Sequence, residues 1–202
     1  MRSHERYSWK DLTVSARIRE AAIELFADRG VEATSLRDIA DRAGISIGAV
    51  QHHFGTKDRL HAAIGDHVLS LMEAEYGRLL LTNDPIDAQR ELAEAATTFV
   101  RDHSDVMRFI ARGVADTDQQ AIRIFNWMVD SAHRAWANLV DSELTAPDVD
   151  AEWMALQIVL ALLGTALMGK AVEERLGAPL TDPIQLQRWH RARTILFARA
   201  IR

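Results

Sequence analysis

Apolar residues recur along this chain at spacings of three and four, the period of a helix that buries one face. Alternating β-branched runs and Asn-Gly or Asp-Gly hairpin turns are missing, so strands are not expected. Caps and breakers divide the pattern into about nine helices. The first runs from about Val14 to Arg29, with Thr13 as cap, a stripe of Ile18, Ala22, Leu25 and Phe26, and Gly30 as stop. The second spans Leu36 to Ala43 behind a Ser35/Asp38 capping box and stops at Gly44. A short third helix, Ile47 to His53, is capped by Ser46. A long fourth runs from about Lys57 to Leu81, with Thr56 as cap and a break at Thr82-Asn83-Asp84-Pro85.

Pro85 suits the first turn of a fifth helix that ends near His103. Ser104 opens a sixth, ending at Gly113. Thr117 with Gln120 reads as a capping box for a seventh, Asp118 to Leu144. An eighth spans Ala151 to Leu176, and Pro183 starts a ninth that runs to the C-terminus. The expected fold class is all-α: a three-helix head with a helix-turn-helix, then a larger helical body. The functional boundary is placed after residue 56, giving 1–56 for DNA binding and 57–202 for ligand binding and dimerisation.

Composition narrows the class. Of 202 residues, 48% are hydrophobic and 26% charged, as in globular proteins. The absence of cysteine excludes disulfides and thiolate chemistry. The first dozen residues are polar, without the apolar core of a signal peptide. The longest apolar run, Trp153 to Gly169, contains Gln157 and falls short of the roughly 20 residues a span needs. It reads as a helix buried on several sides, so no membrane is expected and the location reads as cytoplasmic and nucleoid-associated. Net charge is −5. Residues 1–62 hold 10 basic against 9 acidic side chains, and the rest hold 14 against 20. An acidic body is compatible with DNA binding when it faces away from the duplex.

The stretch SLRDIADRAGISIGAVQHHFGTK, Ser35 to Lys57, carries the chemistry. Gly44-Ile45-Ser46 joins two short helices, and Gly44 permits a left-handed corner. Ile39, Ala40, Val50 and Phe54 are spaced to pack the two helices together. Ile47, Gly48, Ala49, Gln51 and His52 are then left on the outer face of the second helix, the geometry that enters a major groove. An ordinary helical hairpin would show the same corner. The longer segment AAIELFADRGVEATSLRDIADRAGISIGAVQHHFGTKDRL resembles the N-terminal domain of the tetracycline-repressor (TetR) family. The match rests on Ala21-Ala22, Leu25-Phe26, Gly30, Thr34-Ser35, Ile39-Ala40, Ala43-Gly44, Ser46, Gly48, His53-Phe54, Lys57 and Leu60.

The resemblance implies that Ser35 and Arg37 meet the backbone or a nearby base. It also implies that Ile47, Gly48, Ala49, Gln51 and His52 face base edges, and that His53 and Lys57 hold phosphates. The family usually has Tyr where this chain has Gln51, whose amide suits adenine N6/N7. It further implies a homodimer through the last two helices on a palindromic double-stranded operator, and a cavity for a small effector among the middle helices. The helix at Ser104 would press on the long helix that carries the head.

The Asp118–Leu144 segment bears a stripe of Ile122, Phe125, Met128, Val129, Ala132, Trp136 and Leu139, with Trp127 beside it. Together with Met72, Tyr76, Phe99 and Met107, the residues Trp127, Met128 and Trp136 are candidate cavity residues; plain core packing would use the same types. Tyr76, His103, Asn126 and His133 are polar candidates nearby. A buried cation is not evident, since the only arginines on that helix, Arg123 and Arg134, lie near its polar side. The expected effector is therefore hydrophobic and neutral.

Other chemistry is weakly signalled. Gly164 to Lys170 nearly spells a phosphate loop, but Ala171 replaces the required hydroxyl and no strand precedes it. The small residues there read instead as sites of close helix packing. The eight histidines include no HExxH motif, and no nucleophile elbow is present. No cofactor, metal site or catalytic residue is expected. The sequence thus implies a ligand-responsive DNA-binding regulator, read as a repressor. The alternatives are an activator, a ligand-independent DNA binder, or a helical enzyme or lipid-handling protein.

Overall fold

A computed structural model describes residues 13–77 and 84–201. Among these residues are ten helices: α1 (Val14–Arg29), α2 (Leu36–Ala43), α3 (Ile47–Phe54), α4 (Lys57–Tyr76), α5 (Pro85–Asp102), α6 (Ser104–Ala115), α7 (Gln119–Asp141), α8 (Ala151–Leu167), α9 (Gly169–Leu176) and α10 (Pro183–Ala198). The one β-type pairing among them is an isolated bridge between Thr145 and Ile201. The expected end of the long fourth helix, over 78–83, lies outside the described residues.

The packing forms two units, one of residues up to 70 with 105–124, the other of 71–104 with 125–201. The first is built on the apolar stripe of α1. Ile18, Ala22 and Phe26 are fully buried, as are Ile39, Val50, Leu60, Ile64, Phe109 and Ile110. The His61 ring stands edge-on to Phe26 at 5.7 Å and to Phe109 at 6.2 Å, joining α1, α4 and α6. Polar clamps fix the periphery. Arg17 donates to the Ala43 carbonyl at the end of α2, and Arg42 pairs with Glu24. Gly113 lies where a Cβ would come within 2.5 Å of Ala121, so α6 and α7 meet more closely than any larger residue allows.

The second unit packs α5, most of α7 and α8–α10. Trp136, Leu139 and Phe197 form its centre, with Met154, Ile158 and Ile201 against them. Phe197 is buried because it shares a stripe with Leu186 and Arg193 at helical spacing.

Two local expectations are corrected. The helix after Thr117 starts one residue later, with Asp118 as its cap: the Asp118 carboxylate accepts from Ala121 N–H at 2.9 Å. Thr117 itself sits at φ +58°, in the left-handed region, where a side chain cannot serve as an N-cap. The single helix expected over 151–176 is broken at Met168 (φ −93°, ψ 16°), and α8 and α9 diverge by 74°. Among the described residues nothing lies within 4 Å of a Cβ built on Gly164 or Gly169, so the small residues here do not serve close packing within the chain. They flank the bend instead, where Gly raises the cost of continuing a helix. Among the described residues no single helix is long and apolar enough to cross a membrane; only the bent α8–α9 pair passes by length and composition.

Candidate functional site

The first candidate surface is the corner between α2 and α3. Ser35 accepts from Asp38 N–H at 3.1 Å, while the Asp38 carboxylate accepts from Ser35 N–H at 2.9 Å. These bonds hold the Asp38 carboxyl below its usual range, chiefly through the Ser35 side chain. Gly44 takes the left-handed conformation (φ 65°, ψ 41°), and its N–H reaches back to the Ala40 and Asp41 carbonyls. Ser46 then caps α3 by accepting from Ala49 N–H at 3.1 Å. Val50 is fully buried against the head core and Phe54 half-buried. That packing fixes the rotation of α3 and leaves Ile47, Gly48, Gln51, His52 and His53 exposed, with Ala49 half-buried. Ser35, Arg37 and Ser46 are exposed beside them. The result is a convex strip of amide, imidazole and guanidinium donors flanked by an apolar contact at Ile47. It suits base edges and phosphates in a groove.

Lys57 is placed differently from the expectation. Its ammonium donates to the Val31 carbonyl at 2.9 Å and to that of Glu32 at 3.4 Å, and the side chain is half-buried. It ties the α1–α2 loop to α4, which leaves it little reach for a phosphate. Arg59, not singled out from the sequence, is exposed with its guanidinium beside Gly55 at the end of α3. Its signal was a cation one turn inside a helix that starts next to the reading helix.

The second candidate site is a cavity of about 270 Å3 inside the second unit. Of the candidate lining residues, Met72, Tyr76, Trp127, Met128 and Trp136 border it. Phe99 does not; it lies behind Tyr76, ring centroids 5.7 Å apart. Met107 does not either, because it is buried in the core of the other unit. Among the polar candidates only Tyr76 reaches the cavity: His103 stacks on Phe99, Asn126 is exposed, and His133 faces Glu152 at 3.8 Å. Burial pushes the Tyr76 phenol well above its ordinary range.

The wall supplied by α8 and α10 was missed from the sequence. Ile158, Val159 and Leu162 are apolar; His190, Arg193 and Thr194 are not. Arg193 is 7% exposed. Its Nη2 donates to the Ala93 carbonyl and, at 2.8 Å, to Thr97 Oγ1, and its guanidinium lies 4.5 Å over the Trp189 ring. His190 Nδ1 meets Thr97 Oγ1 at 2.8 Å. Burial lowers the Arg193 pKa to about 10, which leaves it charged at neutral pH. The signal was present: Arg193 sits seven residues after Leu186 and four before Phe197, on the inward stripe of α10.

Comparison with known proteins places the head. Residues 18–64 match the family of bacterial regulatory proteins, tetR family. The HTH-type transcriptional regulatory protein RaaS of Mycobacterium tuberculosis is 35% identical over 122 residues, 60% of this chain and 55% of that protein. The HTH-type transcriptional repressor Rv3405c of the same species is 47% identical over 74 residues, 37% of each chain. The chain therefore aligns with about half or less of the length of these relatives. A crystal structure of AibR in complex with isovaleryl coenzyme A and operator DNA matches with a TM-score of 0.72 at 20% identity, covering 94% of this chain and all of that one. At this identity the likeness is one of fold. What the chain shares with the tetR family of bacterial regulatory proteins is thus its N-terminal segment, residues 18–64.

Proposed function

We propose that the chain is a DNA-binding transcriptional regulator, a repressor that leaves a palindromic operator when a small, largely apolar molecule fills the cavity of the second unit. The observation that carries this reading is the exposed outer face of α3, held by the buried Val50 and by the Ser35 and Ser46 caps, within a segment of the tetR family. In this reading residues 1–56 form the DNA-binding domain and 57–202 serve ligand binding and dimerisation. Gln51 and Arg37 read bases, His53 and Arg59 meet phosphates, and Lys57 positions the loop behind α2.

A dimer is needed to read two half-sites. Trp153, Leu160 and Leu167 on α8, with Ile195 and Leu196 on α10, are at least half exposed and apolar, as a two-fold interface requires. The effector acts by population shift: it binds one spacing of the two heads better than the other, and the operator prefers the alternative. The cavity favours this over a ligand-independent binder, whose core would be filled. No constellation of catalytic groups supports an enzyme. The test is selection of binding sites from random duplex DNA, followed by gel-shift titration of the recovered sequence. A two-fold-symmetric consensus is the expected result. Recovery of no consensus would reject the reading.

A further inference from the structure

We infer that the effector is an amphipathic organic acid, whose carboxylate is held by Arg193 while its apolar body fills the cavity and one of its oxygens accepts from the Trp136 indole. This rests on the effector-binding reading and deepens it. Two independent observations point to an acceptor-bearing, negatively charged ligand. The first is a buried cation that no carboxylate pairs with among the described residues. Arg193 uses only Nη2 toward the protein; Nε and Nη1 make no hydrogen bond there. Burying a charge without an opposite charge is costly and is uncommon unless something completes it. The guanidinium therefore keeps N–H donors on Nε and Nη1 that the protein does not use, and a carboxylate oxygen can accept from such a donor while supplying the missing charge.

The second observation is Trp136. Its side chain is 1% exposed and lines the cavity, yet its Nε1–H has no hydrogen-bond partner. Buried indole N–H groups ordinarily find an acceptor. Trp136 on α7 shares a buried cluster with Phe197, one helical turn from Arg193 on α10, and both Trp136 and Arg193 line the cavity. Most other lining groups are apolar, which limits the ligand to one small anionic head on a hydrophobic body. Arg90 and Glu94 also border the cavity, but both are exposed and face each other at 3.9 Å, so they add no net charge. The neutral effector expected from the sequence followed from seeing only the arginines of α7.

Isothermal titration calorimetry with matched pairs decides the matter. Octanoate, 3-phenylpropanoate and 1-naphthoate are each compared with the corresponding primary amide, which keeps shape and removes charge. For the wild type, at least one acid should bind tenfold or more tightly than its amide, a difference of about 1.4 kcal/mol. Arg193→Met should abolish that preference, Arg193→Lys should keep part of it, and Trp136→Phe should weaken acid and amide alike. If every amide binds as tightly as its acid, if no acid binds, or if Arg193→Met keeps the preference, the inference is wrong. The wild-type comparison stands even if a variant misfolds. Operator binding is titrated separately by gel shift without ligand. Failure there rejects the regulator reading alone, whereas operator binding with no acid preference rejects this inference alone.

Discussion

Replacing Arg193 by Met should make the unliganded protein more stable. Burial lowers the guanidinium pKa from its ordinary value to about 10. At 1.36 kcal/mol per unit, keeping this side chain charged costs the folded state roughly 3 kcal/mol. Met removes that cost and fills similar volume with an apolar chain. It leaves no orphan: Thr97 Oγ1 still donates to the Ala93 carbonyl at 2.9 Å and still meets His190. Against the gain stand two lost hydrogen bonds, together about 2 kcal/mol, the charge-dependent part of these bonds and of the stacking on Trp189 being already contained in the pKa change. The net expectation is a gain of about 1 kcal/mol at pH 8, read as a higher urea midpoint at fixed protein concentration.

The pH dependence gives a second check. The folded-state pKa is depressed, so from about pH 10 upward the unfolded chain holds the proton more often than the folded one. The cost is therefore complete below pH 10 and fades above it. The advantage of the variant should be constant from pH 7 to 9 and shrink beyond pH 10. A midpoint lowered by the equivalent of more than 1 kcal/mol would mean that the guanidinium is a structural tie, and the reasoning from burial would fail.

Lys57→Met should cost about 1–2 kcal/mol of stability through the lost Val31 and Glu32 contacts, yet leave the salt dependence of operator binding unchanged; a slope reduced by about one would show a phosphate contact instead. Gln51→Ala should relax preference at one position per half-site, by roughly 1–3 kcal/mol, and an unaltered selected consensus would remove Gln51 from base readout. Gly113→Ala brings two Cβ atoms to 2.5 Å and should destabilise by about 1–3 kcal/mol in urea; an unchanged midpoint would contradict the packing of α6 on α7. Leu196→Glu, at a position 65% exposed, should yield monomers in sedimentation without loss of helicity, and an intact dimer would move the interface elsewhere.

The head was legible because each local device is written in adjacent residues. Thr13, Ser35, Ser46, Gly30 and Gly44 all occupy the cap and stop positions that their types suggest. The rotation of α3 followed from the spacing of Val50 and Phe54. The contacts of Lys57 were not legible because its partner carbonyls lie some 25 residues away, beyond any local pattern. The body was legible in its helices but not in its cavity. Periodicity identifies a buried face without saying which buried face borders empty space, so Met107, Phe99 and Tyr76 looked alike. The bend at Met168 was hidden inside an unbroken apolar run. Arg193 escaped because a charged residue was assumed to be solvated, although its place on the α10 stripe contradicted that assumption.

The distribution of indoles around the cavity has a practical consequence. Of the four tryptophans among the described residues, Trp127 and Trp136 line the cavity and Trp189 lies under the Arg193 guanidinium, while Trp153 is 59% exposed on the apolar face of α8. The molecule thus carries its own optical reporters. Trp136, dry and without a hydrogen bond, should emit at short wavelength and shift to the red when an oxygen accepts from its indole. Trp153 should respond to chain association and not to cavity filling. Single replacements by Phe would separate the two signals, so occupancy of the cavity and pairing of protomers become readable in one unlabelled sample.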